Sequence, residues 1–282
     1  MANVTAADVK RLREQTGAGF LDCKKALEAA DGDFDAAVEA LRIKGVKDAG
    51  KRADRTAANG LVAVVMNGTG SGMMFELNCE TDFVAKTEVF GQLAEDISAT
   101  AKAAQPADRL ALLSAETESA PGKTVQQLIE DAAASLKEKL ELGRFARFDG
   151  GYIASYLHKT DPSLPPTKGA LVQFDTDGGE VTKEIAQQVV ALRPKYLRRE
   201  DVPADVIERE TRIAEQITRD EGKPEQIIPK IVQGRLNRVF AGEGGVLVEQ
   251  AFIKEPKKTV QQVLDDNGVA VRGFAHFEVG QA

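Results

Sequence analysis

The sequence predicts an α+β protein. It combines an N-terminal three-helix unit, a core of two duplicated strand-strand-helix subdomains, and an antiparallel coiled-coil hairpin inserted in the second subdomain. Three observations carry this reading. Apolar residues in the first 46 positions recur at helical spacing, without the alternation of a strand. A strand, turn, strand, helix order occurs twice between residues 60 and 200, which points to an internal duplication. Between residues 204 and 240, two helix-spaced apolar series flank the break Gly222-Lys223-Pro224.

In the first unit, residues 1–46, Thr5 can cap a helix whose Val9 and Leu12 share a face. The glycines of TGAGF end it. A second helix carries Leu21 to Ala29, and after the turn DGDFD a third is lined by Phe34, Val38 and Leu41. The stretch RIKGVKDAGKRADR (42–55) holds six basic and two acidic residues. A phosphate-binding patch is one reading of it; a solvated helix end and basic linker, residues 47–59, is the simpler one.

Residues 60–140 form the first core subdomain. GLVAVVMN and GMMFELNCE read as strands joined by a hairpin turn. Phe75, Leu77 and Cys79 alternate against Glu76, Asn78 and Glu80, and a helix follows from near Thr81. TVQQLIEDAAASLKEKL (124–140) is an amphipathic helix, and GRFARFDG a strand lying between the two units. The second subdomain, 141–203 and 241–282, contains GGYIASYLHK, the loop TDPSLPPT, KGALVQFDT and a helix through EIAQQVVALRP. The loop, with three prolines, is expected to be an extended surface excursion. The helix TVQQVLDDN and the strand VAVRGFAHFEVG return near the end, the strand closing the sheet of the second unit. In the hairpin (204–240), Val206, Ile213 and Ile217 mark one arm, and Ile228, Ile231, Val232 and Leu236 the other. Arms of about 16 residues at 1.5 Å per residue would reach about 24 Å and project from the body.

Composition narrows the function. The chain has 282 residues, 43% hydrophobic and 29% charged, with 37 Lys plus Arg against 44 Asp plus Glu and a net charge of −7. That balance argues against broad, phosphate-driven nucleic-acid binding. No apolar run is long enough to span a membrane, and MANVTAADVKRLRE lacks the apolar segment of a signal peptide, so a cytoplasmic protein is expected. Cys23, Cys79, His158 and His276 are scattered without CxxC or HxxxH spacing, so no metal or cofactor is expected. Both cysteines read as small buried apolar residues. No GxSxG elbow frames a nucleophile, and no Lys-Ser or Lys-Thr follows NGTGSG (67–72). Binding, rather than enzyme catalysis, is the better class.

The junction in FELNCETDFVAKTEVF (75–90) stands out. A Thr or Asp would suffice to start a helix there, yet Asp82 is followed by the bulky Phe83. On the residues alone, Asp82 caps the helix and Phe83 packs inward. The alternative is an aromatic ring displayed at the tip of the turn.

Four stretches then carry a resemblance: VKRLREQTGAGFLDCKKALEAADGDFDAAVEALR (9–42), NCETDFVAKTEVF (78–90), EGKPEQIIPKIVQGRLN (221–237), and KKTVQQVL with FEVG near the end. Together they resemble bacterial translation elongation factor Ts over nearly the whole chain. The resemblance implies a guanine-nucleotide exchange factor that binds elongation factor Tu in its GDP-bound and nucleotide-free states, displaces Mg²⁺ and promotes GDP release. It implies that the N-terminal unit is of the ubiquitin-associated type. It places the magnesium-displacing segment on Thr81, Asp82, Phe83 and Val84, and partner contacts on Arg13, Phe20 and Leu21. Many relatives carry methionine at the last two positions. Gln188 falls where many carry a histidine pressed on the partner's phosphate-loop side, and is a possible second contact. His158, in the stretch Tyr156-Leu157-His158, is read as structural or near the interface. Some relatives continue past FEVGQA into a further helix, so that contact is expected to be missing. A passive chaperone or scaffold for elongation factor Tu is the competing reading.

Overall fold

A computed structural model of the chain describes residues 4–16, 18–52 and 54–281. Thr5 opens α1 (Ala6–Thr16): its hydroxyl accepts from the Asp8 N–H at 3.2 Å, and the Asp8 carboxylate accepts from the Thr5 N–H at 3.0 Å. This reciprocal pair satisfies donors that the first helical turn leaves without partners. With α2 (Phe20–Ala29) and α3 (Phe34–Arg52), α1 closes a small core of Val9, Leu12, Cys23, Ala26, Leu27 and Ala37. Phe34, Val38 and Leu41 pack against it, as their spacing predicts.

The chain then forms β1 (Asn59–Asn67) and β2 (Ser71–Cys79). After them come α4 (Asp82–Ala85), α5 (Glu88–Ala104), α6 (Arg109–Ser114) and α7 (Val125–Leu136), and β3 (Leu140–Asp149) completes an antiparallel sheet in the order β1-β2-β3. The second unit repeats this plan with β4 (Tyr152–His158), β5 (Lys168–Phe174) and α8 (Glu180–Leu192). The hairpin helices α9 (Ala204–Asp220) and α10 (Ile228–Phe240) follow, then β6 (Ala251–Phe252), β7 (Glu255–Thr259) and α11 (Val260–Asp266). β8 (Val271–Glu278) closes the second sheet in the order β4-β5-β8. α7 and α11 both begin on TVQQ with the same capping box, Thr124 with Gln127 and Thr259 with Gln262, and each leads into the third strand of its sheet. Among the described residues no helix is long and apolar enough to cross a membrane.

Each sheet has helices on one face and the other sheet on the opposite face. Phe75, Leu77, Phe90, Ile97 and Ile129 belong to the first helix-backed core; Val172, Phe174, Ile185, Val189 and Leu264 belong to the second. Between the sheets lie Val62, Met74, Ile153, Leu171 and Phe277. Two glycines permit this approach. A Cβ at Gly72 would meet Ile153 and Leu171 at 3.0 and 3.1 Å, and one at Gly169 would lie 2.8 Å from Val62 Cγ1.

Because β2 is covered on both faces, the expected alternation fails at Glu76, which is buried. A bulge between Phe75 and Leu77 sets Arg144 opposite it, and the guanidinium Nε and Nη2 donate to Glu76 at 2.9 and 2.6 Å. Arg144 also donates to the Glu278 carbonyl and stacks 4.9 Å from the Phe277 ring. Its pKa is raised, first by the hydrogen bond to Glu76. A buried carboxylate is tolerable only with such pairing.

Other expectations are corrected. β3 pairs with β2, so GRFARFDG lies within the first subdomain and the boundary falls near residue 150, not 140/141. α7 stops at Leu136 because Lys137 turns left-handed (φ 60°), and Leu140 already lies in β3. The expected linker from residue 47 begins inside α3, which packs on α7; a Cβ at Gly45 would lie 3.8 Å from that of Ala134. The proline loop is not only a surface excursion. Leu164 packs on the first core, and the Pro166 carbonyl accepts from the Val62 N–H at 2.8 Å. In the hairpin, Ile213 and Ile217 are exposed, while Ala214 and Thr218 are buried with Ile228, Val232 and Leu236 inside the pair. Small residues on α9 allow close helix approach, and Thr218 meets its own polar demand by donating to the Ala214 carbonyl.

Two predictions follow from the packing between the sheets. Gly169→Ala should lower stability by about 1–3 kcal/mol in urea denaturation, because stiff Val62 cannot rotate away from the added methyl. His276, on β8, has its pKa lowered from 6.5, first by burial, with Arg144, Arg193 and Lys168 adding to the effect and Glu278 opposing it. The folded state therefore favours neutral imidazole. Its contribution is fully present above pH 6.5 and is lost as pH falls from there through the folded pKa. His276→Gln should flatten that part of the stability-pH curve.

Candidate functional site

β2 ends at Cys79 and α4 starts at Asp82, so Glu80 and Thr81 must turn the chain from extended to helical backbone. Thr81 is the cap, its hydroxyl accepting from the Val84 N–H at 3.3 Å. The same hydroxyl donates to Glu138 Oε1 at 2.6 Å, and Glu138 Oε2 accepts from the N–H groups of Glu80 and Thr81 at 3.1 and 3.0 Å. In return the Glu80 carboxylate accepts from the Lys139 N–H at 2.6 Å and lies 3.3 Å from Arg55 Nη1. From β1, Asn59 Nδ2 donates to the Glu80 carbonyl at 2.8 Å. Carboxylate-to-amide bonds are charge-assisted, so the turn is held to its neighbours. Beneath it, the Cys79 thiol donates to the Thr81 carbonyl. Burial, with the Glu138 charge second, pushes its pKa up to about 12, so it stays protonated and inert as a nucleophile.

α4 is a single turn. Val84 and Ala85 belong to the first core, whereas Phe83, from the same turn, is 79% exposed. Asp82 also faces out, with its carboxylate 3.0 Å from Lys86 Nζ. The single helix expected from Thr81 is in fact two. Thr87 accepts from the Phe90 N–H at 3.2 Å and donates to the Val84 carbonyl at 2.8 Å, restarting the helix as α5. The restart lets Phe90, Leu93, Ile97 and Ala101 form one buried stripe while Phe83 stays outside it. Burying a phenyl ring is worth about 1.5–3 kcal/mol, and this turn forgoes it.

The quartet Thr81, Asp82, Phe83 and Val84 therefore divides. Phe83 and Asp82 face solvent; Thr81 is consumed by the clamp, and Val84 is buried in the first core. On the helical unit, Phe20 is 49% and Leu21 62% exposed, and Arg13 is exposed as well. Gln188, expected as a possible second contact, does not reach the surface of the isolated chain. It is 0% exposed; its amide donates to Gln250 Oε1 and the Ala251 carbonyl, and its carbonyl accepts from the Ile253 N–H at 2.9 Å. A buried amide with these partners ties α8 to the β6 segment. His158 is exposed, 3.2 Å from the Tyr156 hydroxyl through Nδ1. Sequence reasoning missed Glu138 and Glu80. The two are far apart in the chain, and no local pattern distinguishes them from surface acids.

Apolar side chains displayed on rigid supports are the make-up of a protein-docking surface. Comparison with known proteins gives that surface a family. The model of the family described as elongation factor TS matches residues 80–281. Elongation factor Ts of Thermobifida fusca is 58% identical over 282 residues, covering all of both chains. That of Mycobacterium tuberculosis (H37Ra) is 55% identical over the same full lengths, and that of Streptomyces coelicolor is 51% identical over 281 residues, 99% of this chain and 100% of its own. The chain belongs to the elongation factor Ts family.

The clamp predicts a measurable local effect. Glu138→Ala leaves the Glu80 and Thr81 amides without their acceptor and should cost about 2–3 kcal/mol. Hydrogen exchange should show protection lost at those two amides before the rest of β2.

Proposed function

We propose that this chain is a guanine-nucleotide exchange factor for elongation factor Tu, acting in translation in the cytoplasm. The observation that carries the reading is the Phe83 ring, 79% exposed on a turn clamped by Glu138 and Glu80. A GTPase holds GDP through its phosphate-binding loop and a Mg²⁺ bridging the phosphates. Exchange needs no covalent step; the factor must bind the nucleotide-free partner more tightly than the loaded one.

Phe83 enters between elements of the GDP-bound partner as a wedge, displacing the groups that hold the partner's Mg²⁺. Because the turn is already ordered, little binding free energy goes into ordering it, and more remains to distort the partner. Among the described residues Asp82 is paired only with exposed Lys86, so it can exchange that pair for a donor on the partner at small cost. With Mg²⁺ displaced, GDP leaves and GTP enters. Arg13, Phe20 and Leu21 supply a second, anchoring contact. Gln188 acts from inside, holding the β6 segment. The factor itself is no enzyme and uses no cofactor; direct nucleic-acid or membrane binding is not part of this reading.

Phe83→Ala should cost the nucleotide-free complex about 2–4 kcal/mol, roughly 30- to 1,000-fold in affinity, with a smaller loss for the GDP-loaded partner. By linkage, the variant should loosen GDP on the partner less than wild type does, and if the ring acts as a wedge GDP release should also slow at saturating factor. Stopped-flow release of labelled GDP, with affinities for both partner states, checks this. Equal weakening of both affinities with full saturating release would make the ring an anchor; binding without any acceleration by wild type would favour a passive scaffold.

A further inference from the structure

We propose that Asn67 is a site of spontaneous deamidation, which places an aspartyl or isoaspartyl residue at the tip of the β1-β2 hairpin. The chain contains three Asn-Gly pairs: Asn59-Gly60, Asn67-Gly68 and Asn267-Gly268. Two of them are tied down. The Asn59 amide donates to the Glu80 carbonyl at 2.8 Å, and Gly60 is buried in β1. At the end of α11 the Asn267 amide donates to the Val263 carbonyl at 2.8 Å, and the Gly268 N–H to the Asp265 carbonyl at 3.1 Å. The hairpin tip differs. Asn67 and Gly68 are both exposed, and among the described residues the Asn67 amide has no hydrogen-bond partner and the Gly68 N–H donates to none. Gly68 has a φ of 66°, and a Cβ there would meet nothing within 4 Å.

The two free groups are the reactants. Once the Gly68 nitrogen loses its proton it attacks Asn67 Cγ; the N–Cγ bond forms, the Cγ–Nδ2 bond breaks, and ammonia leaves carrying that proton. Attack within one chain needs no encounter, only a backbone rotation that brings the atoms together, and glycine permits that rotation with least hindrance. Water then opens the five-membered imide. Opening at the side-chain carbonyl leaves an aspartyl residue, whereas opening at the main-chain carbonyl routes the backbone through the old side chain and lengthens it by a methylene. The net reaction consumes one water and releases one ammonia, without oxidation or reduction. At Asn59 and Asn267 the same attack must first break the hydrogen bonds that hold the amide.

The tip is also a joint between the two subdomains. The Thr69 and Gly70 carbonyls accept from the Ile153 and Gly150 N–H groups, each at 2.7 Å, so the hairpin holds the entry to β4. Asn67 pairs across the hairpin with Ser71, which pairs in turn with Asp149. A longer backbone and a new negative charge on the same rung as the Asp149 carboxylate loosen that joint. The inference stands on the hairpin and does not depend on the exchange reading.

The test incubates the full chain in mildly alkaline buffer, folded and in urea, and follows all three sites by peptide mass spectrometry against a zero-time control. Isoaspartate is counted by enzymatic carboxyl methylation. In the folded chain Asn67 should react about tenfold or more faster than Asn59 and Asn267, since each hydrogen bond broken first raises the barrier. In urea the three rates should converge. The folded rate at Asn67 should rise with pH, because the Gly68 nitrogen must lose a proton. Asn67→Gln, whose longer side chain would have to close a larger ring, should remove the product and leave the other two sites unchanged. A folded preference for Asn67 no greater than that in urea overturns the proposal, as does an unreactive Asn67 in the folded chain over the time it deamidates in urea. Hydrogen exchange decides the joint: protection lost at Gly150 and Ile153 in the converted protein, but kept in equally incubated Asn67→Gln, upholds it, and unchanged protection in the converted protein overturns it.

Discussion

Two three-stranded sheets meet face to face over Gly72 and Gly169, and the remaining architecture follows from that close approach. With one face of each sheet occupied by the other, the helices have only the outer faces to cover: α5 and α7 on the first, α8 and α11 on the second. The central strands β2 and β5 are then enclosed on both sides. Any charged residue that remains between the sheets must bring its partner with it, which is why Glu76 and Arg144 are joined by two hydrogen bonds across a bulge. The second sheet has a bulge between the same pair of strand positions, central against third, as expected when one plan is used twice.

Enclosure of the strands moves recognition to their ends. Where β2 leaves the sheet, backbone donors that the ladder no longer pairs are taken up by Glu138, and Glu80 does the same for the start of β3. The two carboxylates stabilise the turn without covering it. An aromatic ring can therefore stand 79% exposed on an ordered support, because the cap, the clamp and the buried Val84 hold its backbone. Rigidity and exposure are separate properties in most loops; here the hydrogen-bond pattern combines them.

The helical unit shows the same economy on a smaller scale. Among the described residues six buried ones close its core, leaving Phe20 and Leu21 at the start of α2 unburied. Its last helix runs on to Arg52 and lies against α7, so the unit is braced by the core rather than hung from a loose linker.

Much of this was legible in the residues. Periodicity located the three N-terminal helices, both strand pairs and the two arms of the hairpin; the ordered motifs carried the family and singled out Asp82 and Phe83. Local spacing misjudged residues whose environment is set by something distant. Glu76 reads as a solvent-facing position until a second sheet covers it, and Ile213 reads as a hairpin contact until Ala214 and Thr218 prove to be the close-packed pair. Gln188 reads as a surface counterpart of a histidine until Gln250, Ala251 and Ile253 are found around it. The sequence by itself determined the elements, their order and the placing of an acid beside a ring at one turn, since these depend on neighbours within a few residues. Only the tertiary structure decided which of the four turn residues face out, where β3 belongs, and that Glu138 holds the turn, because those outcomes rest on contacts between segments tens of residues apart.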